Sequence, residues 1–438
     1  MSAGRPCRNS SPLWQILLGG TIVAILAAYH LANLEDTFGN SLDLLPQWTL
    51  ARLAVLGHRA NSYDFDAQAA LIRSEVPIHK SAFLESPHIR NIGVSPYPPP
   101  MVVVYAPLGW FSYDAAARIV YVATLLLAFV AAGAIAGATA NRVSFLVASA
   151  AILAYPGFTY SVLLGQNSVL TLALFSLGWC GLVRRWNVAA GIAWGLLLYK
   201  PHWFFAVVWI PILLGRWRVV MVMGLTAGSL TALATVWLGV DSWRRWLEQV
   251  RALDAVIAVD PEFRTWFLGM ACDLRHMAYR YLPGAPWTPG VGWATLAVVG
   301  IIGIVTTWRA VRRPTEPLSD EPAGPAWLAT ACLVIPYRYY YDETVLLLPL
   351  LVAWSHWRRL RIWQLVLLSA ATLGYYVALP VMMYRDAGPY VPRDPNLPAK
   401  LQPNPAGWLN GPPWATIAAA ALWLLTLTFH GGSEKRAA

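Results

Sequence analysis

Long apolar runs separated by short polar or arginine-containing turns make up most of this chain of 438 residues. The first run, 14–32, is close to the ~20 residues that a helix needs to cross a bilayer. The pattern predicts an all-α polytopic membrane protein with about twelve transmembrane helices. The predicted spans are 14–32, 115–138, 143–164, 169–183, the run before Tyr199, 203–214, 219–238, 291–308, the run before Pro336, 344–354, 363–383 and 414–429.

Two polar segments are too long and too charged to lie within lipid. The first contains amphipathic stretches, 45–56 and 66–73, which predict helices lying on the membrane surface. We therefore expect a single integral membrane domain over 1–438. Its predicted parts are a first span (13–33), an outer loop (35–113), spans two to seven (114–240), an outer amphipathic segment (241–290), spans eight to twelve (291–430) and a tail (431–438).

The arginine clusters predict the orientation of the chain in the membrane. If the polar motifs are outer turns and the arginine clusters are inner turns, every short loop with clustered arginine is cytoplasmic, as the positive-inside rule requires. The clearest clusters are Arg184-Arg185, Arg216-Trp217-Arg218 and Arg358-Arg359. This arrangement places both termini in the cytoplasm of a multi-pass protein of the cell (inner) membrane.

Composition agrees with a membrane protein. The chain is 57% hydrophobic and 12% charged, whereas soluble domains contain about 25% charged residues. Its 23 Trp and 19 Tyr are typical of residues at membrane interfaces. The net charge of +10 is divided among short clusters, which argues against a nucleic-acid partner. The four cysteines have no metal-site or disulfide spacing, and we expect no metal and no cofactor.

Three polar motifs are flanked by short apolar runs and are therefore expected to dip below the outer membrane surface. They are 165–167, 199–202 and 336–343. Charged groups and irregular backbone survive at that depth only where they line a cavity inside the protein. A single span through Lys200 is the alternative, but it would place the arginine clusters on either side of it on opposite faces of the membrane.

The candidate catalytic residues lie in the stretch Ser62-Tyr63-Asp64-Phe65-Asp66 of the first outer loop. A carboxylate beside an outer cavity can act as a general base, which typically contributes about 10²–10⁴-fold in rate. We take Asp64 as the candidate base and Asp66 as the second choice. Alternatively, both carboxylates cap and solvate the helix that begins near Phe65.

Other polar residues are candidates for binding a phosphate-containing substrate. Cations, amides and hydroxyls opposite a base would hold an anionic leaving group, as in sugar transfer from a lipid phosphate. Each has a structural alternative: Gln166 and Asn167 cap the following helix, Lys200 snorkels to the interface, Arg338 pairs with Asp342 or Glu343, and His202 is an interfacial ring. The candidates are Lys200, Arg338, Gln166, Asn167, Tyr97, His202, Tyr341 and Asp342.

Taken in order, the motifs resemble those of glycosyltransferase family 87. The resemblance spans roughly residues 60 to 355, and single motifs are less specific than the series. The matching motifs are Asp64-Phe65, Tyr97-Pro98-Pro99-Pro100, Ala106-Pro107-Leu108, Gly165-Gln166-Asn167, Ala190-Gly191 with Gly195, Lys200-Pro201, Arg216-Trp217-Arg218, and Pro336-Tyr337 with Tyr341-Asp342.

The resemblance implies a GT-C fold with its active site on the extracytoplasmic side. It implies a polyprenyl-phosphate sugar donor, often of mannose, a lipid or glycan acceptor, and a catalytic acid in the first outer loop, by position Asp64. Family mannosyltransferases tend to carry a histidine in the late outer motif, where this chain has Tyr339-Tyr340-Tyr341. The alternative functions are a transporter or flippase of lipid-linked saccharides and a non-catalytic membrane scaffold.

Overall fold

The computed structural model describes residues 13–32, 43–76, 97–259, 271–282, 285–312, 318, 321, 323–385 and 413–428. The regular elements within these ranges are helices, and one antiparallel bridge joins Ala271 to Tyr339. The all-α prediction is confirmed for this part of the chain. The predicted tail, 431–438, and parts of the two outer segments lie outside the described residues.

The helices follow the predicted apolar runs closely. They are α1 Leu13–Ala32, α2 Leu44–Val55, α3 Phe65–Glu75, α4 Pro99–Tyr105, α5 Tyr113–Ala138, α6 Phe145–Leu153, α7 Pro156–Leu164, α8 Ser168–Val183, α9 Asn187–Leu196, α10 Pro201–Leu213, α11 Trp217–Leu238, α12 Asp241–Val259, α13 Leu274–Tyr281, α14 Thr288–Val311, α15 Gly324–Leu333, α16 Leu347–Trp354, α17 Ile362–Arg385 and α18 Pro413–Leu427.

Three of the described helices, α5, α11 and α14, are long and apolar enough to cross a membrane. The pair α6 and α7 would add a fourth crossing if it is one broken span, because the two helices meet at an angle of 61°. The break lies at Pro156, which has no N–H to donate and favours extended backbone in the preceding Tyr155. Helices of this length and apolar composition are typical of a membrane protein. The number of twelve spans remains a prediction.

Small residues allow α9 and α11 to pack closely. A Cβ atom added at Gly191 would lie 2.6 Å from Val222 Cβ, and one at Gly195 would lie 2.6 Å from Thr226 Cβ. No larger side chain fits at either glycine without a shift of its neighbours. The glycine pair therefore belongs to a small-residue packing face of the kind common in membrane helices.

The polar motifs and the arginine clusters lie at opposite ends of the same helices. The chain enters α8 at Asn167 and leaves it at Arg184, whose Nε donates to Gly137 O at the end of α5 (2.9 Å). In the same way α10 runs from Lys200 towards Arg216. Because of this shared direction, the polar motifs gather at one end of the bundle.

Candidate active site

Asp43 is the carboxylate at the centre of this polar end. It directly precedes α2, but its side chain makes no capping hydrogen bond to that helix. Instead its Oδ2 accepts a hydrogen bond from Gln166 Nε2 at 2.9 Å, and its backbone N–H donates to Leu164 O at 3.1 Å. These contacts dock the start of α2 on the turn between α7 and α8.

Partial burial raises the pKa of Asp43 to about 6, while the Gln166 hydrogen bond and the positive charge of Lys200 act in the opposite direction. A carboxyl with this pKa is mostly ionised at neutral pH and is a stronger base than an ordinary aspartate. Such a value suits a general base, which works best with a pKa near the working pH.

Gln47 and Tyr97 form one side of the cluster. Gln47, one turn along α2 from Asp43, donates through Nε2 to Asp43 O and to the Tyr97 hydroxyl, both at 3.1 Å. Burial, as the largest cause, and the charge of Asp43 both raise the pKa of the Tyr97 phenol. Burial is also the largest cause that raises the pKa of Tyr341, and electrostatic interactions with Tyr97 and Asp43 raise it further. Both tyrosines therefore remain neutral hydroxyls that can donate hydrogen bonds.

The turn between α7 and α8 presents three polar side chains to the cluster. Gly165 ends α7 in the left-handed conformation (φ +69°), which costs a glycine little, and the chain reverses into α8. Gln166, Asn167 and Ser168 are buried. Gln166 Oε1 and Asn167 Oδ1 have no hydrogen-bond partner among the described residues. Orphaned polar atoms of this kind are uncommon in protein interiors and fit a substrate-binding surface.

Lys200 and Asp342 form a buried ion pair beside this turn. Lys200 Nζ lies 3.0 Å from Asp342 Oδ1, which also accepts from Ser168 Oγ at 3.1 Å. Lys200 stands between a 3₁₀ turn, Leu197–Tyr199, and α10, so the helix breaks at the lysine as the two-helix prediction has it. An ammonium group has three N–H donors, so two remain for a ligand.

His202 faces the same charged groups. Lys200, Asp342 and Asp273 are all near enough to its ring to interact with it electrostatically. Its Nε2 is buried without a hydrogen-bond partner in the part of the chain that the structure describes. The imidazole therefore adds one more polar atom to the wall of the cluster.

Arg338 lies close by but has a structural environment. Its guanidinium is fully buried and contacts Glu343 Oε1 at 2.6 Å, Cys332 O at 2.6 Å and Cys272 O at 2.7 Å. These bonds join the late motif to α15 and to the segment before α13. Of the two roles that the sequence left open for Arg338, its contacts match the structural ion pair.

Asp64 and Asp66 lie at the start of α3. Asp64 Oδ1 accepts a hydrogen bond from Ala67 N at 2.9 Å and so caps the helix, while Asp66 is exposed. Tyr63 connects this segment to the cluster, because its hydroxyl donates to Tyr97 O at 2.8 Å. Within the described residues, no hydrogen bond or ion pair joins Asp64 to Gln166 or Lys200.

The structure thus brings together most of the predicted substrate-binding residues and adds three that sequence reasoning missed. The added residues are Asp43, Gln47 and Ser168. Asp43 gave no distinguishing signal, since it precedes a helix just as Asp64 does. Among the described residues, no group of three His, Cys, Asp or Glu side chains could hold a metal ion.

Comparison with known proteins gives one match. A model of glycosyltransferase family 87 matches residues 96–336, which is more than half of the chain. No curated protein and no solved structure matches the sequence. The matched region contains Tyr97, the 165–168 turn and Lys200, and ends at the late motif. The resemblance seen in the sequence is confirmed: the chain belongs to glycosyltransferase family 87 and is a membrane glycosyltransferase.

Proposed function

We propose that this enzyme moves a sugar, mannose or another hexose or pentose, from a polyprenyl-phosphate donor to a lipid or glycan acceptor at the extracytoplasmic face. Asp43 is the proposed general base. The observation that carries the proposal is the position of Asp43, partly buried with a raised pKa, beside Gln166 and near Lys200. The polar cluster thus combines a candidate base and a cation at one end of the bundle.

Asp43 suits the role better than Asp64 because its carboxylate is not used by its own helix. In the proposed step, the acceptor hydroxyl oxygen attacks the anomeric carbon of the donor sugar, and Asp43 takes the hydroxyl proton. The bond between that carbon and the phosphate oxygen breaks, and the polyprenyl phosphate leaves with the electron pair. The products are the new glycoside and the lipid phosphate.

The leaving phosphate needs hydrogen-bond donors and positive charge. Lys200 supplies an ammonium group whose position is set by Asp342 at 3.0 Å. The neutral hydroxyls of Tyr97 and Tyr341 are further donors, kept protonated by burial. Donors fixed before the reaction stabilise developing charge without the cost of reorganising solvent. Arg338 takes no part in this step, because Glu343 and two carbonyls already hold its guanidinium.

The difference between the two ends of the bundle supports the proposed face. Arginine clusters end α8 and precede α11, while the proposed site lies at the other ends of α8 and α10. The positive-inside rule favours a cytoplasmic position for the arginine end, which supports an extracytoplasmic position for the proposed site. A polyprenyl-phosphate sugar is bound to the membrane, so it reaches a site at this depth by diffusing in the lipid.

The test is a transfer assay with purified protein in nanodiscs. Synthetic polyprenyl-phosphate mannose and glycolipids extracted from membranes are supplied, and products are identified by mass spectrometry. We expect one glycoside and one polyprenyl phosphate for each donor consumed. Use of a nucleotide sugar in place of the lipid donor would overturn the donor assignment. Donor exchange across the bilayer of closed proteoliposomes, without formation of a glycoside, would favour the flippase alternative.

A matched pair of variants tests the role of Lys200. Lys200→Met/Asp342→Asn removes both charges together, so no lone buried charge remains. We expect KM for the donor to rise roughly tenfold to a hundredfold, the cost of a lost hydrogen bond to a charged group. Arg216→Met/Arg218→Met, at the opposite end, is the control and should leave KM unchanged. Equal effects of both variants would remove Lys200 from the phosphate site.

A further inference from the structure

The arginine end of the bundle contains a cavity of about 430 Å³, here called the arginine cavity. A water molecule occupies roughly 30 Å³ in the liquid, so the cavity has room for more than a single small ion. Its described lining contains three arginines and no acidic residue. The lining residues are Asn141, Arg142, Ser355, His356, Trp357, Arg358 and Arg359.

Two ordered turns hold these residues. After α5 the chain reverses through Ala140 (φ +51°) and Asn141 (φ +61°), and Asn141 N donates to Ala136 O at 2.9 Å. After α16 the buried His356 keeps its Nδ1 2.9 Å from Val352 O, and a 3₁₀ turn, Trp357–Arg359, follows. The guanidinium groups are therefore presented by backbone of defined geometry.

The charges of this lining favour an anion. Arg142, Arg358 and Arg359 carry the same charge around one cavity. Arg358 lies 5.3 Å from the centre of the Trp357 ring, a cation–π contact that does not neutralise it. Guanidinium groups bind phosphate oxygens through paired N–H donors, so a phosphate group matches this lining in both charge and geometry.

The surroundings of the cavity favour a lipid over free phosphate. The helices that continue from its two turns expose apolar side chains: Phe145 on α6 is 43% exposed and Ile362 on α17 is 84% exposed. Trp357 is 49% exposed at the rim, and tryptophan is typical of the membrane interface. A headgroup bound among the arginines would leave its acyl chains beside these apolar helix surfaces.

We propose that the arginine cavity binds the phosphate-bearing headgroup of an anionic membrane lipid. Basic pockets between transmembrane helices on the cytoplasmic side bind such headgroups in other membrane proteins. The site is distinct from the polar cluster around Asp43 and lies at the opposite end of the bundle. Its occupancy does not depend on which sugar or acceptor the enzyme uses.

The first experiment uses the wild-type protein and native mass spectrometry. Phosphatidylglycerol and phosphatidylcholine are added separately to the detergent-purified protein, with and without excess inorganic phosphate. We expect specific binding of phosphatidylglycerol that exceeds that of phosphatidylcholine and resists inorganic phosphate. Equal binding of the two lipids overturns the proposal without any need for variants. Displacement of the lipid by inorganic phosphate identifies a free-phosphate site and overturns the lipid assignment.

The second experiment locates the site. Arg358→Ala/Arg359→Ala should weaken phosphatidylglycerol binding roughly tenfold to a hundredfold, the loss expected when a hydrogen bond to a charged group is removed. The matched control is Arg216→Ala/Arg218→Ala, which flanks the 61% exposed Trp217 at the same bundle end and should change binding little. Arg358→Lys/Arg359→Lys keeps the charge but loses the paired N–H donors, so its affinity should lie between those of the wild type and the alanine variant. Equal losses in the alanine variant and the control would place the lipid elsewhere.

Discussion

Asp43 and Asp64 stand in the same polar segment, and each directly precedes a short helix. Asp64 adopts extended backbone (φ −86°, ψ 125°) and turns its carboxylate back to accept from Ala67 N. Asp43 has helical backbone angles (φ −78°, ψ −15°), makes no cap bond, and directs its carboxylate to Gln166. The same residue type in the same local position thus has two different environments.

The difference shows what separates a capping carboxylate from a candidate base. A cap is satisfied locally, three residues along the chain, and stabilises its own helix. Asp43 makes no such capping bond and instead contacts a turn more than a hundred residues away in the chain. Burial raises its pKa to about 6. Raised pKa values in a cleft with a specific charge partner are typical of functional sites.

The largest expected effect comes from removing each negative charge in turn. Asp43→Asn keeps the shape of the side chain but cannot accept a proton, and we expect the transfer rate to fall about 10²–10⁴-fold. Asp64→Asn is the matched control, because asparagine caps a helix as well as aspartate does, and it should retain nearly full activity. Initial rates of glycoside formation measure both. The reverse order of activities would restore Asp64 as the base.

The second prediction is the pH dependence of transfer. With the pKa of Asp43 at about 6, the base is protonated at lower pH. We expect kcat/KM to be constant above pH 7 and about tenfold lower at pH 5. The donor is a phosphodiester and does not titrate in this range. Asp64→Asn should keep the inflection and Asp43→Asn should lose it; an inflection that survives in Asp43→Asn would assign the titration to another group.

The third prediction concerns the hydrogen bond from Gln166 to Asp43. This bond stabilises the charged carboxylate, so Gln166→Met should raise the pKa of Asp43 by about one unit or more. The inflection in kcat/KM then moves to higher pH. Gln68→Met is the control, because Gln68 is a buried glutamine that bonds Ser62 O in the Asp64 segment. An inflection that moves equally in both variants would indicate a general change of structure.

Particular residues show how far the sequence could predict this molecule. The helix α5 spans Tyr113–Ala138 against a prediction of 115–138, because a continuous apolar run leaves little choice of structure. The break at Lys200 was predictable because a charged residue between apolar runs needs a protein-lined environment. The bend between α6 and α7 was missed, although Pro156 signals it.

The residues of the candidate site also differ in how well the sequence predicts them. Gln166, Lys200 and Asp342 could be selected from the sequence because polar residues stand out against apolar surroundings. Asp43 lies in a polar segment and does not stand out. Its environment depends on where α2 docks, which the contact from Asp43 N to Leu164 O sets across more than a hundred residues of chain. Tertiary contacts of this range have no signal in a local pattern.

The smallest expected effect is on stability: substitution should destabilise the protein at Asp64 and stabilise it at Asp43. Asp64→Ala removes a helix cap and should cost about 1 kcal/mol, while Asp64→Asn should cost little. Asp43 has a pKa that is higher in the folded protein than in the unfolded chain, so its ionisation lowers stability as pH rises from about 4 to 6. Asp43→Asn removes that penalty and should raise the unfolding temperature at pH 7.5.

The pH dependence of this gain makes the stability test specific. Below about pH 3 the carboxyl is largely protonated in both the folded and the unfolded states, so the difference between wild type and Asp43→Asn should vanish there. The loss in Asp64→Ala should persist at pH 7.5, where the carboxylate accepts its bond from Ala67 N. Thermal unfolding of the purified proteins in detergent at both pH values measures these differences. A base held at a raised pKa costs stability. If Asp43→Asn instead lowered the unfolding temperature at pH 7.5, Asp43 would be a stabilising residue. The catalytic interpretation of its contact with Gln166 would then be wrong.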